Sequence, residues 1–204
     1  MLIITDLLRE PFDEGAKNTV RNLLKSFQKI SPCTIVSVNS NIRESVADAE
    51  FSLNKLLFSF SFYTYLRSNP SPTLLYIPEA SVTFPTFVRA WFLRLFTGKK
   101  IIILSLQPRG YSLVKRMIIP VIKPSGVITQ SKSTAEEMSR MGIHSGVIPL
   151  GVDSWKFKAV HTEEKLRLRE KYKINQSAKV LLHVGHIRKT RNLGSNRFKN
   201  IFCE

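Results

Sequence analysis

The sequence predicts an α/β domain with a parallel sheet and helices on both of its faces. Short continuous apolar runs are typical of strands that are buried on both sides, and stretches of helical periodicity alternate with these runs. A regular alternation of strands and helices indicates a parallel, Rossmann-like sheet. The runs that we interpret as strands are Leu2–Thr5, Thr34–Val38, Thr73–Ile77, Lys100–Leu106, Gly126–Thr129 and Val147–Ile148.

The first two strands are separated by a turn and a predicted helix. Gly15 lies just before this helix, where free backbone N–H groups and the helix dipole favour an anion. An ordinary turn glycine is an equally good interpretation, because a lone glycine carries little information. The helix is predicted from the helical spacing of Val20, Leu23, Leu24 and Phe27.

Two further segments predict helices that pack on the sheet. Phe51–Leu66 is rich in Phe and Leu, so we expect a largely buried helix there. The second segment has an apolar stripe that we interpret as covering the sheet, and a membrane-inserting face is the less favoured alternative. The residues of this stripe are Phe84, Phe87, Val88, Trp91, Phe92 and Leu95.

A strand, a helix and a second strand are predicted in quick succession after residue 125. Ser133 and Glu136 have the spacing of a capping box that would open the helix. Gly142 suits the left-handed conformation that ends many helices, and Pro149 would end the strand that follows. Gly151 then begins a turn out of the sheet, where we expect a hinge.

This part of the chain resembles family 4 glycosyltransferases, which are two-domain enzymes of GT-B fold. The resemblance rests on TQSKSTAEEM, MGI, IPLGVD and the KF of WKF, and it extends to residues 180–186, VLLHVGH. It implies three regions. They are an N-terminal, acceptor-side domain over residues 1–152, a hinge and linker helix over 153–178, and the start of an incomplete nucleotide-sugar-binding domain over 179–204.

The resemblance also implies the reaction and its sites. We expect a hexosyltransferase of retaining type that moves a sugar from a nucleotide-sugar, a co-substrate rather than a cofactor, to a glycan or lipid-linked acceptor, with no metal. Gly185, His186 and Arg191 would hold the donor diphosphate. On the acceptor side are Gly15 and the turn with Gln107 and Arg109, where the family often has a histidine. This turn is also a site candidate from the sequence itself, because it follows the predicted strand Lys100–Leu106 and open α/β sheets bind ligands at the carboxyl ends of their strands. No catalytic residue is identified.

The length and cysteine content indicate how many domains the protein has and which cellular compartment it occupies. Its 204 residues suit one full domain plus an appendage. Cys33 and Cys203 have no metal or redox spacing, which favours a reducing compartment. With no apolar run long enough to span a bilayer and no signal peptide, we expect a cytoplasmic protein, with attachment to the inner membrane face left open. Because the resemblance covers only the start of the second domain, we expect a truncated chain that transfers no sugar by itself.

The formal charge of +16 is unevenly distributed. Residues 80–135 carry nine Lys or Arg and no Asp or Glu, which predicts a field that attracts phosphate groups. The alternative to the transferase is therefore a non-catalytic basic protein that binds anionic membrane or nucleic acid. Nucleic acid is disfavoured, because no zinc-finger spacing, helix-turn-helix or aromatic RNA-binding motif is present. Membrane docking requires that Arg89, Arg94, Lys99, Lys115, Arg116 and Lys123 share one face.

Overall fold

The computed structural model describes residues 1–12, 14–40, 46–54, 57–107, 111–149, 151 and 158–180. The chain divides into two compact units, Met1–Gly151 and Val152–Glu204. The strands described are β1 (Leu2–Thr5), β2 (Thr34–Val38), β3 (Ala49–Phe51), β4 (Thr73–Ile77), β5 (Lys100–Ser105), β6 (Gly126–Thr129) and β7 (Ser145–Val147). The helices described are α1 (Gly15–Ile30), α2 (Phe60–Ser68), α3 (Phe84–Thr97), α4 (Leu113–Ile118), α5 (Lys132–Arg140) and α6 (Thr162–Lys171).

The first unit contains one parallel sheet of seven strands in the order β3-β2-β1-β4-β5-β6-β7. All six neighbouring pairs are parallel, so the predicted α/β, Rossmann-like class is confirmed. The chain starts at β1 in the interior, moves outward through β2 to β3, and returns to pair β4 on the other side of β1. The direction of winding therefore reverses between β1 and β4.

The two faces of the sheet carry separate apolar clusters, because successive strand residues point to opposite sides. On one face, Val20 and Leu24 of α1 pack with Ile3 of β1. On the other face, residues of α2, α3 and α5 pack with Leu2 and Ile4. Helices thus cover both faces, as the sequence predicts.

The helix predicted over Phe51–Leu66 is wrong in its first half. Phe51 ends strand β3 and pairs with Val38, while α2 begins only at Phe60. Leu57 between them has a φ of 60°, which is incompatible with a continuous right-handed helix. Apolar content alone cannot distinguish a buried strand from a buried helix, and the strand was missed for that reason.

The buried face of α3 differs from the predicted stripe. Thr86, Phe87, Ala90 and Leu93 are its buried residues. Of the predicted stripe only Phe87 is buried, and Trp91 and Leu95 are exposed. The face that packs on the sheet is therefore rotated toward smaller residues, and large apolar side chains remain at the surface.

The predicted strand, helix and strand near the end of the first unit exist as β6, α5 and β7, with two corrections. The cap of α5 is Ser131, whose side chain accepts a hydrogen bond from the Thr134 backbone N–H, so the capping box of Ser133 and Glu136 is wrong. β7 begins at Ser145, before the predicted strand. Gly142 has a φ of +67°, as predicted for a left-handed cap.

The second unit contributes α6 to the described part of the chain. No residue of this helix is buried, and it lies within the linker helix region predicted over residues 153–178. Arg169 donates hydrogen bonds to the carbonyls of Asn175, Gln176 and Ala178 and so fixes the turn that follows. Within the described ranges, no helix is both long enough and apolar enough to cross a membrane.

Candidate ligand-binding site

A crevice lies at the carboxyl ends of β1 and β4, where the winding of the sheet reverses. Open parallel sheets bind their ligands at such a point, because the loops leaving the two strands diverge there. The crevice encloses about 330 Å³. This volume lies at the small end of the range for ligand pockets. Its lining residues are Asp6, Arg9, Asn39, Leu53, Asn54, Leu57, Glu79, Ala80 and Arg89.

The floor of the crevice is held by contacts between the ends of β1 and β4. The buried Thr5 hydroxyl donates to the carbonyl of Ile77 at 3.0 Å and accepts the Leu7 N–H at 3.1 Å. The next residue, Asp6, accepts the backbone N–H of Glu79 through Oδ1 at 2.5 Å. These bonds fix the first residues of both loops relative to the sheet.

Asp6 forms the anionic end of a buried network. Its Oδ2 lies 3.4 Å from a guanidinium nitrogen of Arg89, and the side chains are 11% and 17% exposed. The same Arg89 nitrogen donates to the Tyr76 hydroxyl at 3.3 Å. Helix α3 is thus connected through Arg89 to the ends of both central strands, and the network places two opposite charges at the crevice wall.

Burial is the largest single influence on each pKa of this network, and for Asp6 and Tyr76 it sets the direction of the shift. It raises the pKa of Asp6 to about 6, although the Glu79 backbone N–H and Arg89 both oppose the shift. Burial also raises the pKa of Tyr76, which is fully enclosed. Burial lowers the pKa of Arg89, but Tyr76, Asp6 and Glu79 raise it more, so the net shift is upward.

A second, more exposed charge pair lies at the mouth of the crevice. Arg9 and Glu79 approach within 3.6 Å, and each side chain is roughly half exposed. The Arg9 Nε atom is buried, and it has no hydrogen-bond partner within the described residues. Because a loose exposed pair contributes little to stability, these two side chains can exchange their mutual contact for contacts with a ligand.

The predicted acceptor-side residues are only partly described. Gln107 is exposed after β5, and its carbonyl accepts hydrogen bonds from Ser81 and Ser105, which joins the loops after β4 and β5. Gly15 is the exposed first residue of α1. Neither residue lines the crevice. Arg109 lies outside the described residues.

The predicted donor-diphosphate residues, Gly185, His186 and Arg191, lie outside the described residues as well. They remain predictions from the resemblance.

The sequence interpretation missed the residues that make the crevice. Asp6 and Glu79 each stand directly beyond a predicted strand, or one residue further, so the rule for strand ends could have selected both. The sequence interpretation places Arg89 only among the cations that membrane docking would need. Its partnership with Asp6 spans 83 positions in sequence and has no local signal.

The cations of residues 80–135, the stretch without Asp or Glu, do not share one face. Arg89 lies at the carboxyl ends of the strands, whereas Lys99 is buried at the opposite end and donates to the carbonyls of Asn69 and Ser71, both at 2.6 Å. Arg116 is paired with Glu137 at 2.7 Å. The side chain of Lys115 is not described. The condition set for membrane docking by these six cations together is therefore not met.

Comparison of the chain with protein-family models gave no match, and a search of curated proteins also gave none.

Proposed function

We propose that the first unit is the acceptor-binding domain of a retaining glycosyltransferase of GT-B type. The observation that carries this proposal is the charged crevice at the winding reversal of a parallel sheet, in a unit whose end resembles family 4 glycosyltransferases. The reaction would move a sugar from a nucleotide-sugar to a hydroxyl of a glycan or lipid-linked acceptor. The anomeric bond to the diphosphate would break as the bond to the acceptor oxygen forms, and the proton of the acceptor hydroxyl would pass to the departing diphosphate.

The chemistry of the crevice suits a ligand with several hydroxyl groups. Carboxylates accept hydrogen bonds from hydroxyls, and guanidinium groups donate to them, so the two kinds of group together match both roles of each hydroxyl. Asp6 and Arg89 are already engaged with each other, and we assign them the fixed wall of the site. Arg9 and Glu79 are the adaptable pair that closes on the ligand.

The catalytic contribution of this unit would be to position the acceptor. Holding an acceptor hydroxyl close to the donor sugar removes much of the entropic part of the barrier. The donor diphosphate would be held by Gly185, His186 and Arg191.

Ligand-observed saturation-transfer NMR tests the proposal directly. The purified 204-residue chain is mixed with a panel of mono- and disaccharides, and we expect weak binding of at least one of them. The variant Arg9→Ala/Glu79→Gln removes charge-assisted hydrogen bonds at the mouth of the crevice, so its affinity should fall about tenfold or more.

The matched control is Lys132→Ala/Glu136→Gln, which removes one charge of each sign from exposed positions of α5. It should bind as the parent does. If no saccharide binds, or if both double variants retain full binding, the crevice is not the acceptor site.

A further inference from the structure

Four exposed apolar side chains lie on α3, at the start of α2 and just before it. Phe58 is 58% exposed, Phe60 87%, Trp91 37% and Leu95 57%. Single exposed apolar residues are ordinary, but a contiguous group of large ones marks an interaction site. We call these four residues the α2–α3 apolar surface.

Ring contacts connect Phe58, just before α2, with helix α3. Phe58 lies 5.7 Å from Phe96 between ring centroids, and Phe96 stacks on Phe92 at 5.9 Å. Phe92 in turn lies 5.1 Å from Trp91. Leu95 is four residues after Trp91 on α3 and therefore lies on the same side of that helix. The half-buried rings of Phe92 and Phe96 thus connect Phe58 with Trp91, and Phe60 follows Phe58 by two residues at the start of α2.

The charged residues of α2 and α3 are all cations. Arg94 is exposed three residues after Trp91, and Arg67 is exposed seven residues after Phe60 on the same side of α2, so both cations lie on the sides of the helices that carry the surface. The helices α2 and α3 contain no acidic residue. Between Ser52 and Ala135 the sequence has a single carboxylate, Glu79, which lies in the crevice.

We propose that the α2–α3 apolar surface docks on an anionic membrane, with its aromatic side chains at the headgroup boundary and the neighbouring arginines against anionic lipid. Aromatic and aliphatic side chains beside Lys or Arg are the composition of interfacial membrane-binding helices. Acidic side chains at such a surface would be repelled by the lipid charge, and none is present on either helix. The inference deepens the proposed function and rests on it, since a lipid-linked acceptor would be presented at this bilayer.

Vesicle flotation tests the proposal with the full chain and without donor or acceptor. Vesicles of neutral phosphatidylcholine are compared with vesicles that also contain anionic phosphatidylserine. We expect binding to the anionic vesicles that weakens with salt. The variant Phe60→Ser/Leu95→Ser should lower the partition coefficient about tenfold or more, because it removes apolar side chains that the bilayer would bury.

A matched control tests whether vesicle binding depends on this surface or on any exposed apolar residue of the chain. Ile30 and Val180 are 80% and 54% exposed, and Ile30 lies on α1, which packs on the other face of the sheet. Ile30→Ser/Val180→Ser should bind vesicles as the parent does. The charge variant Arg67→Gln/Arg94→Gln should reduce the preference for anionic over neutral vesicles.

Trp91 provides a second measurement that is independent of folding yield. The sequence has two tryptophans, so Trp155→Phe leaves Trp91 as the sole reporter. Its fluorescence should shift to the blue and become shielded from a soluble quencher when anionic vesicles are added.

The proposal is overturned by any of four results. These are no vesicle binding, equal binding to neutral and anionic vesicles, full binding by Phe60→Ser/Leu95→Ser, or a lipid-independent dimer that this variant abolishes. The last result would assign the surface to a second copy of the chain. Vesicle binding and saccharide binding are separate measurements, so failure of one does not imply failure of the other.

Discussion

Replacement of Asp6 by asparagine should change how the stability of the first unit depends on pH. The carboxyl group is 11% exposed, and its burial raises its pKa from the ordinary value of 3.8 to about 6. Between these two values the folded chain binds more protons at this position than the unfolded chain. The stabilising contribution is therefore complete below pH 3.8 and is lost as pH rises through 6.

The magnitude follows from the size of the shift. A difference of about two pKa units corresponds to roughly 3 kcal/mol between the fully protonated and the fully ionised limits. About 2 kcal/mol of this change falls between pH 4 and pH 7. Asparagine has no titrating group, but its side-chain oxygen can still accept the Glu79 backbone N–H.

The assay is urea unfolding followed by circular dichroism at pH 4 and at pH 7. We expect the free energy of unfolding of Asp6→Asn minus that of the parent to increase by about 2 kcal/mol from pH 4 to pH 7, so that the variant gains stability relative to the parent. Glu136→Gln, at an exposed position of α5, provides the control, and its difference from the parent should change little. If the stability difference between Asp6→Asn and the parent is the same at both pH values, folding does not raise the pKa of Asp6.

Two further predictions concern the fold. Lys99→Met should destabilise the first unit by about 1–3 kcal/mol in urea unfolding, because it leaves two partly buried carbonyls without their charge-assisted donor. The control is Lys100→Met, at an exposed position, and an equal loss in both variants would contradict the assignment. Ser131→Ala should cost about 1 kcal/mol by removing the cap of α5, whereas Ser133→Ala should cost less, since Ser133 does not cap the helix. A larger loss of stability in Ser133→Ala than in Ser131→Ala would instead support the capping box predicted from the sequence.

The order and type of most elements follow from the sequence because they depend on local patterns. The buried strands of the first unit are continuous apolar runs, and parallel strands covered on both faces require such runs. Gly142 was placed correctly because few residues other than glycine adopt its φ of +67°. These features need no knowledge of distant residues.

The features that the sequence predicted wrongly depend on tertiary contacts. Phe51 belongs to a strand because it pairs with Val38 and packs against the ring of Phe62, at 5.2 Å between centroids. The buried face of α3 is set by the sheet beneath it, so the largest apolar residues of the helix are not all inside. Hydrophobic periodicity identifies a helix, but it does not determine by itself which side of the helix is covered.

The candidate site was predictable only in its general position. The rule that ligands bind at the carboxyl ends of parallel strands directed attention to Gln107 at the end of β5. The charged crevice lies instead beside β1 and β4, because the reversal of winding occurs there. That reversal depends on the strand order, which the sequence does not specify.

Backbone amide NMR of the labelled chain, titrated with a saccharide that binds, tests the central claim most directly. If the crevice at the winding reversal is the acceptor site, the largest shift changes will be at the amides of Asp6, Glu79 and Ala80. Changes confined to the opposite end of the sheet, at Lys100 and Ser125, would contradict the assignment of this crevice as the binding site.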